Sequence, residues 1–322
     1  MINRYSTALL ALAALAPLAA AAQSFPVKPL RILVSAAPSV PNDIISRALS
    51  EPLSKAFGQP VVVENRVGAD GIIGMEACAK AGNDGYTLCS TASNVIVWNP
   101  VLRAKLPYDP LRDFTPVVHV GFFDSVLIAN PSVPANSVQQ LFDMAKAKPD
   151  SITWAHFGSN STGYMYQDSF RKLRGAPFYA VPYKTQPQVL QALLAGESHV
   201  SVYSLANTAQ LIQAGKLKAL AVTSDKRVAE FPNVPSFDEL GIKLPLRTWF
   251  GFHLQSGTPR EIVTRYNGEI RKAMADQGFK DSVMKRMGVL ANDGTPEQFD
   301  GYIRSQIKDV SELVKSLGIK PE

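Results

Sequence analysis

Two short stretches of the sequence hold residues suited to gripping an anion. The first is Ser35-Ala-Ala-Pro-Ser-Val-Pro-Asn-Asp43 and the second is His156-Phe-Gly-Ser-Asn-Ser-Thr162. Each is mostly small or polar, and each leads from an apolar run into a helical pattern. The start of a helix leaves backbone N–H groups unpaired and carries the positive end of the helix dipole. A loop there can therefore hold a carboxylate or a phosphate. The candidate ligand contacts are Ser39, Val40, Asn42 and Asp43 in the first loop. In the second they are His156, Phe157, Ser159, Asn160, Ser161 and Thr162. The same residue types also cap helices in proteins that bind nothing. Capping is the better reading of either loop alone; two loops in corresponding places bring the readings level.

Signatures of covalent chemistry are missing. Gly68-x-x-Gly71-x-x-Gly74 has the wrong first spacing for a dinucleotide fingerprint and reads as a structural turn. No G-x-x-x-x-G-K-[ST] phosphate loop occurs, and the serines between Gly158 and Gly163 lack the G-x-S-x-G nucleophile spacing. The four histidines, His119, His156, His199 and His253, have no metal-ligand spacing. No catalytic residue, metal or cofactor is expected. A serine triad assembled from distant positions stays open on sequence alone, which keeps an exported hydrolase as the alternative class.

The elements that would position these loops alternate between strand and helix. Leu30–Val34 is a short apolar strand. Behind it, Asn42-Asp43 is read as the cap of a helix with Ile44, Ile45, Ala48, Leu49, Leu53, Ala56 and Phe57 on one face. Strand patterns recur at 61–64, 86–90, 117–120 and 125–129, with a helix at 71–81 and another behind the cap Ser137. The middle repeats the theme, with strands at 152–155, 178–181, 199–203 and 217–223 between helices that open at Ser161-Thr162, Gln186 and Asn207. The tail is helical from Pro259, ending in Pro296–Leu317 behind Thr295. This order predicts an α/β protein with mostly parallel sheets in two lobes. The expected division is residues 23–123 and 248–322 in one lobe and 124–247 in the other.

Composition fixes the broad class. The chain has 322 residues, 46% apolar and 19% charged, which excludes disorder and a coiled coil. Residues 1–22 carry Arg4, an apolar run broken by Pro17, and an Ala-x-Ala exit, the pattern of a cleavable signal peptide too short to span a membrane. A soluble, exported, periplasmic protein is expected. Cys78 and Cys89 are the only cysteines. In an exporting compartment they can pair, or remain two buried thiols. Net charge is +6, and residues 137–227 hold ten basic side chains against five acidic ones. That is no dense Lys/Arg stripe, so nucleic acid is excluded, and the acid-poor lobe favours a small anion.

Along nearly the whole chain the sequence resembles the extracytoplasmic solute receptors of tripartite tricarboxylate transporters, the Bug or TctC-like proteins. The residues that carry this are Phe25-Pro-Val-Lys-Pro-Leu-Arg-Ile32, Gly58-Gln-Pro-Val-Val-Val-Glu-Asn-Arg66 and Asp84-Gly-Tyr-Thr-Leu88. Asn99-Pro100, Leu106-Pro-Tyr-Asp-Pro110, Asp113-Phe-Thr-Pro-Val117 and Pro182-Tyr-Lys184 continue it. Ala214–Ser224, Trp249-Phe-Gly251, Gly257-Thr-Pro259 and Gly294-Thr-Pro-Glu297 complete it. The resemblance implies a two-lobed type II periplasmic binding protein with its ligand in the interlobe cleft. It also implies carboxylate capture by the two loops and delivery to large and small integral-membrane transporter subunits. The receptor is expected to act as a monomer, and the family does no chemistry.

The departures from the family pattern point to the ligand. Ser39-Val40 stands where a Gly-Gly pair is usual, and Tyr203 stands where an Asp suits ligands bearing an amine. His156 and Phe157 fill small positions in the second loop. An aromatic dicarboxylate such as terephthalate is therefore expected, with aromatic faces along the cleft. Ser93, Asn94 and His156 are candidate donors for its second carboxylate. A flexible di- or tricarboxylate such as citrate is the alternative.

Overall fold

The computed structural model describes residues 25–158, 161–292 and 294–321. The expected signal peptide, Ser159 and Asn160 lie outside the described residues.

In chain order, β1 (Leu30–Val34), α1 (Pro41–Phe57) and β2 (Val61–Asn65) precede α2 (Ile72–Ala79) and β3 (Thr87–Ala92). A π-type turn, Asn94–Trp98, then runs into α3 (Asn99–Leu102). β4 (Phe114–Phe123) and β5 (Ser125–Ala129) are separated by Asp124 alone. Next come α4 (Val138–Ala147), β6 (Thr153–His156), α5 (Thr162–Arg174) and β7 (Tyr179–Pro182). They are followed by α6 (Gln186–Ala195), β8 (Val200–Ser204), α7 (Leu205–Gln213) and β9 (Lys218–Val222). The remaining elements are β10 (Thr248–Gln255), α8 (Arg260–Ala275), α9 (Gln277–Phe279), a second π-type turn (Lys280–Lys285), β11 (Val289–Ala291) and α10 (Pro296–Ser316).

The strands form two sheets, in the orders β11-β4-β10-β3-β1-β2 and β7-β6-β8-β5-β9. The two-lobed α/β architecture is as expected, but the sheets are mixed rather than mostly parallel. β1 runs parallel to β2 and β3, and β6 parallel to β7 and β8. β10 is antiparallel to β3 and β4, and β5 antiparallel to β8 and β9. The cause is the crossing between lobes. β4 carries the chain out of the first sheet and β10 brings it back, so the two run in opposite directions side by side.

β10 has no counterpart in the strand pattern read from the sequence. It is buried from Trp249 to Gln255, but Gly251, His253 and Gln255 interrupt its apolar residues, so it shows neither the alternation of a half-exposed strand nor the continuous apolar run of a buried one. Elsewhere period-2 patterning works as expected. Leu30, Ile32 and Val34 of β1 pack on the α1 stripe Ile45, Leu49, Leu53 and Phe57, while Leu33 faces the opposite side with Met75 and Phe299. In β5, Leu127 and Ala129 face α4 and α5, and Val126 and Ile128 face α6 and α7.

Two features tie these layers together. Cys78 of α2 and Cys89 of β3 form a disulfide with both side chains fully buried. α10 packs Phe299, Ile303 and Val310 against the first sheet's core, whereas Leu313 and Leu317 at its far end join the second sheet's core. There Lys172 of α5 donates to the Leu317 carbonyl at 2.7 Å. The end of α10 thus reaches the second lobe's core while the rest of the returning segment packs on the first sheet.

Candidate functional site

Strand ends and helix starts of both lobes meet in one cleft of about 400 Å³. Ser35 follows β1, Ser93 and Asn94 follow β3, and Asn42 lies in the first turn of α1. Thr162, the first residue of α5, and Met165 face them from the second lobe. The carboxyl ends of strands are where open α/β sheets bind ligands, because loops there are free of sheet pairing and helix starts converge.

The start of α1 differs from the sequence reading. Its cap position is Val40, which has no side chain able to accept, and Pro41 opens the helix. Asn42 and Asp43 fall inside the first turn and are buried. Asp43 is committed to structure. Its carboxylate accepts from the Ser39 N–H at 2.9 Å, from Arg47 at 2.9 and 3.0 Å, and from Asn65 at 3.0 Å. Burial works to raise its pKa, but these hydrogen bonds prevail and hold it below the ordinary carboxylate value. Ser39, at φ 67°, makes the turn into this bond. Of this loop's candidates, Asn42 alone lines the cleft, beside Ser35 and Ala36.

α2 holds that loop in place. A Cβ on Gly74 would lie 2.6 Å from the Ser35 Cα and 2.8 Å from the Arg66 carbonyl oxygen. A Cβ on Gly71 would likewise lie 2.8 Å from the Ser35 carbonyl oxygen, so Gly71 and Gly74 serve close packing of α2 against the cleft loop.

At α5 the two hydroxyls divide the work. The Ser161 Oγ accepts from the Tyr164 N–H at 3.3 Å and donates to the Gly158 carbonyl at 2.7 Å, so it caps the helix. Thr162 faces the cleft. His156 is buried, with its ring 4.9 Å from Tyr164 and its Nδ1 beside the Gly158 backbone. Burial lowers its pKa. Phe157 is exposed, and neither residue lines the cleft. Tyr203 does not line it either. It is buried in the core beneath α6 and α7, and its hydroxyl donates to the Gln186 carbonyl at 3.0 Å. Alternation along β8 explains this, since Val202 faces the other core.

Several cleft residues escaped the sequence reading. Trp98 and Phe250 supply the aromatic surface. In β10 the neighbour Trp249 is fully buried and donates its Nε1–H to Gln306 at 2.8 Å, while Phe250 borders the cleft. Asp70 and Arg103 also line it, paired at 2.8 Å, and the Asp70 carbonyl accepts from Asn99 at 3.2 Å. Ile319 and Lys320, beyond α10, complete a wall. The family-specific stretches around Asn99-Pro100 and Trp249-Phe-Gly251 were the signal for two of these places.

Chemically, the cleft offers two helix starts, small hydroxyl and amide groups, two aromatic faces and a surplus of basic over acidic side chains. It suits a small anion with a flat or apolar body. Together, fold and cleft define a two-lobed solute-binding protein.

Known proteins agree. Residues 45–319 match the tripartite tricarboxylate transporter family receptor. Protein BugT of Bordetella pertussis is 32% identical over 301 residues, covering 93% of this chain and 92% of BugT. A solved periplasmic transporter is 30% identical with a TM-score of 0.73, covering 92% of this chain and 99% of its own. An R. palustris protein solved with adipate is 27% identical at TM-score 0.73, covering 92% of this chain and all of its own. The chain belongs to the tripartite tricarboxylate transporter receptor family, whose members are periplasmic solute receptors. It is a receptor and not an enzyme.

Proposed function

We propose that this chain, exported by its N-terminal signal, captures a carboxylate anion in the cleft as a monomer. It passes the anion to the large and small membrane subunits of a tripartite tricarboxylate-type transporter. One observation carries the reading: the starts of α1 and α5, one from each lobe, line the same cleft through Asn42 and Thr162. A carboxylate between them would gain from both dipoles and from unpaired N–H groups.

The preferred ligand is an aromatic dicarboxylate such as terephthalate. Trp98 and Phe250 give it ring surfaces, in place of the His156, Phe157 and Tyr203 faces expected from sequence. A cleft of about 400 Å³ lies within the range of small-molecule sites. The adipate held by the R. palustris protein favours a second reading, a flexible dicarboxylate.

Thermal shift of the mature protein separates these, because a ligand specific for the native state raises its melting temperature. Terephthalate is expected to give a larger shift than adipate or citrate. A shift with adipate or citrate but none with terephthalate would assign the flexible class. No shift with any carboxylate would overturn the anion-receptor reading.

A further inference from the structure

We infer that the segment following α10 is a wall of the ligand cleft, and that Lys320 within it selects ligands carrying a second anionic group. This rests on the carboxylate reading above and adds which side chain meets the far end of the ligand.

The chain is steered into the cleft by the way α10 ends. Gly318, at φ 67°, reverses the backbone after Leu317, a conformation that favours glycine. Its N–H donates to the Lys315 carbonyl at 3.0 Å, and the Ile319 N–H donates to the Val314 carbonyl at 3.1 Å. The Leu317 carbonyl accepts from Lys172, whose ammonium also pairs with Asp168 at 2.9 Å on α5. Ile319 packs against the core clusters of both lobes. The segment is thus fastened to α10 on one side and to α5 on the other. α5 is the helix whose first residue, Thr162, lines the same cleft.

Charge then singles out Lys320. The charged side chains lining the cleft are Asp70, Arg103 and Lys320. Asp70 and Arg103 pair with each other. Lys320 is exposed and makes no ion pair among the described residues. A monocarboxylate anchored at the helix starts has no second group for this ammonium to meet. A dicarboxylate does.

The test is calorimetry at low ionic strength with two matched pairs, terephthalate with benzoate and adipate with hexanoate. The proteins are wild type, Lys320→Ala and Lys320→Glu. Because Lys320 is exposed, both variants are expected to keep the wild-type melting temperature. The dicarboxylate-to-monocarboxylate affinity ratio should fall about two- to fivefold in Lys320→Ala, the scale of one exposed ion pair, and further in Lys320→Glu. The difference should shrink as salt is added. An unchanged ratio in both variants would overturn the role of Lys320 and leave the carboxylate reading standing. A wild-type protein that binds none of the four acids would overturn this inference, and one that also fails to bind citrate would overturn the carboxylate reading itself.

Discussion

Arg247 and Asp124 form an ion pair of 2.9 Å at the point where the chain crosses between the lobes. Asp124 is the single residue between β4 and β5, and Arg247 directly precedes β10. The pair therefore joins the outgoing connection to the returning one. The two side chains are only 2% and 10% exposed. The guanidinium also pairs with Asp225 at 2.8 Å and lies 3.8 Å above the Phe122 ring. Burial pushes the Asp124 carboxyl above its ordinary value, and Arg247 opposes that rise.

Removing one partner should be costly, because a buried charge is left with less compensation. Asp124→Asn is expected to lower the unfolding free energy by about 3 kcal/mol, the low end for a broken buried pair, since Asp225 still faces Arg247. Urea denaturation measures it. The double variant Asp124→Leu/Arg247→Met should lose less than the sum of the single variants. Additive losses would show that the two side chains act independently.

The two hydroxyls at the start of α5 should separate by function. Ser161→Ala removes the cap on Tyr164 and is expected to cost about 1 kcal/mol of stability with ligand affinity held. Thr162→Ala should keep stability but weaken binding of the best carboxylate by about 1 kcal/mol, roughly fivefold. Denaturation and calorimetry on both variants check this. A binding loss confined to Ser161→Ala would reverse the assignment.

The lobes and the location of the cleft were readable because they depend on local signals. Apolar runs such as Leu30–Val34 and the spacing of Ile45, Leu49 and Leu53 encode which face is buried, and Thr295 marks a helix start through its own hydroxyl. The cleft wall was less readable because it is made by side chains distant in sequence. Lys320 and Arg103 meet the cleft only after α10 crosses the lobes and α3 turns beside Asp70. Tyr203 and Val202 illustrate a second limit. They occupy opposite faces of β8, and residue type alone does not say which face meets the ligand. β10 shows a third, since Gly251, His253 and Gln255 interrupt its apolar residues and leave neither an alternation nor a continuous apolar run such as β5 has.

Acid should destabilise the fold through two histidines. The His119 ring stacks against Phe299 at 5.1 Å and Tyr302 at 5.3 Å, and its Nδ1 meets the Asn292 amide at 2.9 Å. His253 is fully buried, with its Nδ1 2.9 Å from the Thr91 hydroxyl. That hydroxyl donates to the Gly251 carbonyl, so His253 presents Nδ1–H to it. Burial lowers both histidines to about 3, helped by the charge of Arg247 at His119 and by His119 at His253. An unfolded chain takes up these protons near 6.5, the unperturbed value. Between 6.5 and 3 the unfolded state therefore binds more protons than the folded one. Their stabilising effect is complete above pH 6.5 and is lost as pH falls through that window. Each such group contributes a slope of up to about 1.4 kcal/mol per pH unit. Unfolding free energy should thus drop by about 2–4 kcal/mol from pH 7 to pH 5. Denaturant titrations at the two values measure it, and His253→Gln should roughly halve the drop. Equal stability of the wild type at pH 7 and pH 5 would mean that the histidines are protonated without cost in the folded protein.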